Sequence, residues 1–175
     1  MTAPVVTLET DRLRLVQPTS GHLDHYLAFY AIPNDQKGGY RAPRPANEVE
    51  GLLARDIAEW ERKSFGVFLL FRKEDDAFVG GTGLAHPADW PRHELTWWLM
   101  PVARGTGFAT EASRAVLIWA YDTLGWPVVE THMRDENLPA RRLAERLGGT
   151  MIARETFPDG VTRDVFALPR QEVSA

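Results

Sequence analysis

Residues 101–112, with the sequence PVARGTGFATEA, form the stretch on which the fold of this chain depends. An apolar strand pattern at 94–100 runs into it, and a helical pattern at 110–124 follows it. Gly105 and Gly107 lie between the two and lack Cβ atoms, so an anion can approach the backbone closely. The first N–H groups of a helix have no internal partner, and the helix dipole adds positive potential there. The stretch therefore predicts a turn that holds a phosphate-bearing cofactor.

Two common phosphate-binding patterns do not fit this turn. A Walker loop requires Lys followed by Ser or Thr after its last glycine, but Phe108 and Ala109 stand there. The dinucleotide fingerprint requires a third glycine and an acidic residue at the end of a second strand, and this turn has two glycines. A nucleotide-binding domain is therefore poorly supported.

Composition restricts the class of protein. The chain has 175 residues, of which 44% are hydrophobic and 25% charged, and these values are typical of one globular domain spanning 1–175. The net charge of −4 disfavours a direct nucleic-acid partner. No apolar run is long enough to cross a membrane, and residues 1–4 do not resemble a secretory signal. The absence of cysteine excludes disulfides and thiolate chemistry, and it agrees with a cytoplasmic location.

The remaining periodicity predicts a single mixed α/β domain with the order β-α-α-β-β-β-α-β-α-β-β and a core at about 8–168. The predicted bounds are 8–16, 65–72, 77–84, 94–100, 128–134, 150–156 and 161–168 for strands, and about 21–31, 47–63 with Asn47 as cap, 110–124 and 138–147 for helices. The glycines of the strand at 77–84 predict a bulge or a close approach by another group. The segment 33–45 is a loop, either a binding loop or a plain connector.

A wider pattern around the turn is more specific. Arg104-x-x-Gly107-x-Ala109 resembles the acyl-CoA signature of the GNAT (Gcn5-related) N-acetyltransferases. Two further segments, LETDRLRL at 8–15 and NLPARRLAERLG at 137–148, are similar to the Rim-type branch, whose members are related to acetyltransferases of ribosomal-protein N-termini.

This resemblance implies a mostly antiparallel sheet with a central parallel strand pair that splits to bind acyl-CoA, and helices on both faces. It implies acetyl-CoA as cofactor, with its pyrophosphate on the amides of the turn and its pantetheine arm along the preceding strand. The residues expected to bind the cofactor are Trp97, Trp98, Leu99, Arg104, Gly105, Thr106, Gly107, Phe108, Ala109, Thr110 and Asn137. The five scattered histidines lack the spacing of metal ligands, so no metal is expected.

The family reaction, attack of an amine on the thioester, requires a group that takes the amine proton. Glu94 is the first candidate, because it shares a strand face with Thr96 and Trp98, and desolvation there would raise a carboxyl pKa. His132 on the following strand is the second, since an imidazole transfers protons near neutral pH. A water chain is a third option, and oxyanion stabilisation is expected from a backbone N–H of the strand before the turn.

The chain departs from the family pattern at two positions. Ala140 replaces a common serine, and Ala144 stands where many relatives carry a tyrosine acid, so the group that protonates the thiolate is not identified. These departures keep open a non-catalytic acyl-CoA-binding or sensing module on the same fold. Family members are often dimeric, which leaves a homodimer open.

The acceptor is expected to be a protein N-terminus or a small-molecule amine, and the sequence does not decide between them. The resemblance places the acceptor between the first two helices, their loop and the last hairpin. The residues expected there are Tyr30, Tyr40 and Trp90, with Arg41, Arg44, Phe157 and Asp159 as further candidates.

Overall fold

The computed structural model describes residues 5–33, 43–86 and 93–172. Within these residues the chain forms eight strands and four α-helices, and no helix among them is long and apolar enough to cross a membrane. The elements in chain order are β1 (Thr7–Glu9), β2 (Leu13–Val16), α1 (Leu23–Tyr30), α2 (Ala46–Lys63), β3 (Val67–Arg72), β4 (Phe78–Ala85), β5 (Glu94–Leu99), α3 (Phe108–Asp122), β6 (Val129–Met133), α4 (Leu138–Arg146), β7 (Thr150–Thr156) and β8 (Thr162–Leu168).

The eight strands form one sheet in the order β1-β2-β3-β4-β5-β6-β8-β7. Neighbouring strands are antiparallel except β5 and β6, which run parallel and are connected through α3. The mixed sheet with one central parallel pair confirms the predicted fold class. The pair lies in the interior of the sheet, so any ligand that enters between these strands reaches the centre of the molecule.

One predicted strand is wrong. The pattern at 8–16 predicted a single strand, but the chain turns back at Thr10–Arg12 and forms the β1–β2 hairpin. The backbone N–H of Thr10 donates to the carbonyl of Leu13, and the Thr10 hydroxyl accepts from the N–H of Leu13. A side-chain oxygen that accepts from a backbone N–H in place of a neighbouring strand favours a turn over an extended strand. The alternation of apolar residues does not indicate such a turn.

The helices pack on both faces of the sheet. The larger core lies between the sheet and α3 and α4, and its fully buried side chains include Leu13, Phe68, Leu95 and Leu117. The smaller core lies on the other face beneath α1 and α2, around Tyr26, Val49, Leu53, Leu69 and Phe71. The side chains of β3 are buried on both faces, as its nearly continuous apolar run predicted.

The glycines of β4 allow a close approach, as predicted. A Cβ on Gly81 would lie 2.6 Å from the indole of Trp98, and a Cβ on Gly83 would lie 2.2 Å from the carbonyl oxygen of Gly66. The register between β3 and β4 shifts at Leu70/Phe71, which is the bulge that the glycines predicted. The contact of Gly81 with Trp98 holds β5 close to β4, and β5 forms one wall of the site described below.

Two helices begin earlier than their predicted bounds. Pro45, not Asn47, is the N-cap of α2, and its carbonyl accepts from the N–H groups of Glu48 and Val49. The predicted start of α3 at 110 is also two residues late, since Gly107 is its N-cap with φ +82°. Glycine adopts this left-handed conformation without steric cost, so the helix starts directly at the glycine turn.

Candidate active site

The parallel strands β5 and β6 separate along their length. Their one register pair joins Glu94 to Glu130, and the hydroxyl of Thr131 donates to the carbonyl oxygen of Leu95 at 3.1 Å. Beyond this point the strands diverge and form one wall each of a cleft of about 1300 Å³. The cleft extends to the glycine turn and to the start of α4, so the predicted split between the parallel strands is present.

Among the residues that the structure describes, no strand pairs with the edge of β5 that faces this cleft beyond Glu94. The carbonyl of Leu95 points toward β6, because it accepts from Thr131. Backbone groups of alternate residues point to the same side of a strand, so those of Trp97 and Leu99 also face the cleft. Their side chains pack against the larger core. This edge can form strand-like hydrogen bonds with an extended ligand, as expected for pantetheine.

Trp98 has a different environment from its two neighbours. Its ring packs on the other face of the sheet, with its centroid 4.1 Å from that of Phe29 and 5.8 Å from that of Phe78. The cofactor contact predicted for Trp98 is therefore limited to the part of this residue that borders the cleft.

The glycine turn presents unpaired amides. Gly105 and Gly107 have φ values of +77° and +82°, and the hydroxyl of Thr106 donates to the carbonyl of Ala103 at 2.6 Å. Within the described chain, the backbone N–H groups of residues 105–110 donate to no acceptor. A Cβ on Gly105 would meet nothing within 4 Å. Open space next to a row of unpaired N–H groups at a helix start fits a pyrophosphate.

Arg104 and the first residues of α3 border the same space. Arg104, Ala109 and Thr110 are half-buried and line the cleft. The side chain of Phe108 is buried in the larger core, so only its backbone is part of the turn.

A carboxylate in the first turn of α3 connects the turn to the β1–β2 hairpin. Glu111 accepts from the hydroxyl of Thr10, from the backbone N–H of Arg12 at 3.0 Å and from Arg12 Nε at 2.7 Å. Burial alone would raise the pKa of Glu111, but these hydrogen bonds outweigh it and hold the pKa below its ordinary value. Sequence reasoning did not identify Arg12, because 99 residues separate it from Glu111 and no local pattern connects them.

The two predicted catalytic residues are in contact. Oε2 of Glu94 meets Nε2 of His132 across the parallel pair, where β5 and β6 begin to separate. Both side chains are largely buried, with 15% and 9% of their surface exposed, and both line the cleft. The ring of His132 also packs against Phe157, with centroids 4.5 Å apart. The partner of Glu94 is thus an imidazole, and this partner was not part of the sequence prediction.

Asn137 lines the cleft at the start of α4. Its Oδ1 accepts from the N–H of Ala140 at 3.3 Å, so the side chain caps the helix and its NH₂ group is left to donate elsewhere. Ala140 and Ala144, which replace a serine and a tyrosine of the family pattern, are buried. The side of the cleft formed by α4 therefore supplies no hydroxyl at these two positions.

The structure describes only some of the acceptor residues predicted from the sequence. Tyr40, Arg41 and Trp90 lie outside the described residues. Tyr30 is half-buried with its ring against Phe29, and Phe29, not Tyr30, lines the cleft.

The last hairpin also contributes to this end of the cleft. Arg163, which lines it, donates to both oxygens of Asp159 at 2.9 and 2.7 Å and lies 5.0 Å from the ring centroid of Phe157. These hydrogen bonds lower the pKa of Asp159 well below its ordinary value. No group of three His, Asp or Glu side chains in the described ranges is arranged as metal ligands would be.

Residues 12–150 match the family model of the acetyltransferase (GNAT) domain. This chain belongs to the GNAT acetyltransferase family. GNAT acetyltransferases use acetyl-CoA, so the cofactor predicted from the turn is the cofactor of the family. The split strands, the free β5 edge and the unpaired amides of the turn fit that cofactor.

Solved structures share this GNAT fold over nearly the whole chain. An acetyltransferase from Agrobacterium tumefaciens is 28% identical, with 97% of each chain covered and a TM-score of 0.82. A GNAT-family acetyltransferase from Bacillus anthracis is 13% identical, with 95% of this chain and 100% of that chain covered and a TM-score of 0.77. RimL, a ribosomal L7/L12 alpha-N-protein acetyltransferase solved with coenzyme A, is 13% identical, with coverage of 93% and 97% and a TM-score of 0.73.

Proposed function

We propose that this acetyltransferase transfers the acetyl group of acetyl-CoA to a primary amine, a protein N-terminus or a small-molecule amine, by direct attack of the amine. The observation that carries the proposal is the contact between Glu94 and His132 at the split of the parallel strands. Acetyl-CoA supplies an activated thioester, and the protein must supply a neutral amine next to it. A protein N-terminus is included because RimL, which has the same fold, is an alpha-N-protein acetyltransferase by name.

The Glu94–His132 pair serves as the base in this proposal. The amine nitrogen must lose a proton as the new C–N bond forms, and His132 takes that proton. Glu94 holds the imidazole in one orientation and compensates the positive charge that the proton brings.

The same pair also accounts for the missing tyrosine. The thiolate that leaves when the C–S bond breaks must gain one proton, and Ala144 cannot supply it. The protonated His132 returns the proton, directly or through water, so one imidazole acts first as base and then as acid. This assignment balances the reaction, since the amine loses one proton and the thiolate gains one.

Three side chains that line the cleft or contact His132 are proposed to contact the acceptor. Phe29 and Arg163 line the cleft, and Phe157 packs on His132. Tyr30, Tyr40 and Trp90 remain predictions as acceptor contacts. The homodimer suggested by the family resemblance also remains a prediction, and sedimentation of the purified protein would test it.

Release of free thiol from acetyl-CoA, measured across a panel of amines, tests the proposed function. The panel contains peptides with a free N-terminus, the same peptides with an acetylated N-terminus, and small primary amines. Thiol release that requires a free amine, with the acetylated product identified by mass spectrometry, is the expected result. Tight CoA binding without turnover on any amine would instead support the sensing module.

A further inference from the structure

The side chain of Arg12 is fixed at the glycine turn by three contacts. Its Nε donates to Glu111 Oε1 at 2.7 Å, and its backbone N–H donates to Oε2 of the same carboxylate at 3.0 Å. Its guanidinium carbon lies 4.4 Å from the ring centroid of Phe108. Although 46% of the side chain is exposed, the hairpin and α3 together determine where the guanidinium points.

The donors of Arg12 that remain are directed at the turn. Nη2 lies 3.4 Å from the position that a Cβ on Gly107 would occupy, and Arg12 lines the cleft together with the turn. Among the described residues, neither Nη1 nor Nη2 has a hydrogen-bond acceptor. The Nη donors therefore lie beside the unpaired amides of 105–110, so one anion bound at the turn could accept hydrogen bonds from both.

Glu111 explains why a cation is needed there. A carboxylate in the first turn of α3 is stabilised by the helix dipole but repels an anion bound at the same helix start. Arg12 neutralises this carboxylate through Nε and keeps the Nη groups for a second partner. A guanidinium can bridge two anions in this way because its five donors lie in one rigid plane.

We propose that Arg12 binds the pyrophosphate of CoA directly through its Nη groups, with Glu111 as the residue that positions it. The pyrophosphate is favoured over the 3′-phosphate because Nη2 lies at Gly107, within the row of unpaired amides. The inference rests on the acetyl-CoA site and is independent of which amine accepts the acetyl group.

Binding of three ligands to the purified protein, without acetyl-CoA or an acceptor amine, tests this proposal. CoA and dephospho-CoA, which lacks only the 3′-phosphate, are measured by calorimetry, and pantetheine, which lacks the pyrophosphate together with the adenosine and the 3′-phosphate, by NMR titration. We expect Arg12→Gln to bind CoA and dephospho-CoA about tenfold more weakly than the wild type, because it loses a charge-assisted hydrogen bond. Its affinity for pantetheine should not change.

Arg14→Gln is the matched control. Arg14 lies on the same hairpin and pairs with Asp76, away from the cleft. The Arg14→Gln variant should bind all three ligands with the affinity of the wild type. An unchanged CoA affinity in Arg12→Gln overturns the proposal, and so does an equal loss for all three ligands, which would show a purely structural role. A loss for CoA but not for dephospho-CoA would overturn the assignment to the pyrophosphate.

Arg12→Lys keeps the proposal falsifiable if Arg12→Gln does not fold. Lysine keeps the charge but cannot hold Glu111 and a phosphate with one planar group, so its loss of CoA affinity should be smaller than tenfold but measurable. The binding measurements contain no amine, so they test the role of Arg12 independently of turnover. A wild-type protein that binds CoA but acetylates no amine would contradict the proposed function and leave the test of Arg12 valid.

Discussion

Oε2 of Glu94 and Nε2 of His132 meet across the two parallel strands at the position where these strands start to separate. The two residues were separate and competing candidates for the catalytic base in the sequence. Their contact joins the two candidates into one pair, and in the proposed mechanism the carboxylate orients the ring and the ring transfers the proton. The widening strands place this unit in the wall of the cleft that fits acetyl-CoA.

Removal of either member of the pair should reduce turnover far more than CoA affinity. We expect Glu94→Gln and His132→Gln each to lower kcat by about 100-fold or more at neutral pH, the range of general acid–base catalysis. The double variant should lose little more than the worse single variant, because the two residues act as one unit. Steady-state kinetics and calorimetry with CoA measure the two effects.

Glu50→Gln is the control for these variants, since Glu50 is exposed on α2. It should keep wild-type turnover. Wild-type kcat in Glu94→Gln would remove the carboxylate from the mechanism, and additive losses in the double variant would show that the residues act separately.

Gly107→Glu should abolish measurable CoA binding and leave the fold intact. The new carboxylate would occupy the space predicted for the pyrophosphate, and the backbone there has φ +82°. Gly125→Glu introduces the same side chain at φ +70°, with open space around it, at the other end of α3. Both variants should be strained by about 1 kcal/mol, but only Gly107→Glu should lose CoA in a calorimetric titration. Equal CoA affinity in the two variants would contradict the site.

Two glycine-to-alanine changes should have opposite effects on stability. Gly83→Ala places a Cβ 2.2 Å from the carbonyl oxygen of Gly66, a backbone atom that cannot move away, and should destabilise the protein by about 2 kcal/mol or more. Gly51 lies within α2 with nothing within 4 Å of its Cβ position. Gly51→Ala should stabilise by about 0.5–1 kcal/mol through helix propensity. Urea unfolding measures both, and a neutral Gly83→Ala would contradict the packing of β3 on β4.

The stabilising effect of Glu111 should disappear in acid. Its pKa is lowered in the folded protein from an ordinary value of 4.5. A carboxylate with a lowered folded pKa contributes stability that is complete above about pH 5 and is lost as the pH falls through the folded value. The free energy of unfolding of the wild type should therefore exceed that of Glu111→Gln by about 1–2 kcal/mol at pH 7 and by much less at pH 3.

Denaturant unfolding at the two pH values provides the measurement for Glu111. Glu48→Gln, which breaks an exposed pair with Arg44, should change stability by less than about 0.5 kcal/mol at either pH. A difference between wild type and Glu111→Gln that does not depend on pH would show that the Thr10 and Arg12 contacts do not depend on the charge of Glu111.

The parts of the molecule predicted correctly are those specified by near neighbours in the chain. Gly105 and Gly107 between a strand and a helix predicted the turn, and the apolar run of β3 predicted a strand buried on both faces. The β1–β2 hairpin was not predicted, because its turn depends on the hydroxyl of Thr10 and on Glu111, and alternating residues look the same in one strand or two. The predicted N-cap of α2 and the predicted start of α3 each differ by two residues from the structure, where Pro45 and Gly107 are the N-caps.

The sequence by itself determined the order of elements that follow the β1–β2 hairpin, the glycine turn and the family to which the chain belongs, because backbone conformation and apolar periodicity depend on residues within a few positions of each other. Only the tertiary structure decided which side chains meet. The parallel pairing of β5 with β6 brings Glu94 to His132, and the packing of the hairpin on α3 brings Arg12 to Glu111. Such contacts join segments far apart in the chain, and their partners are fixed only when the sheet forms.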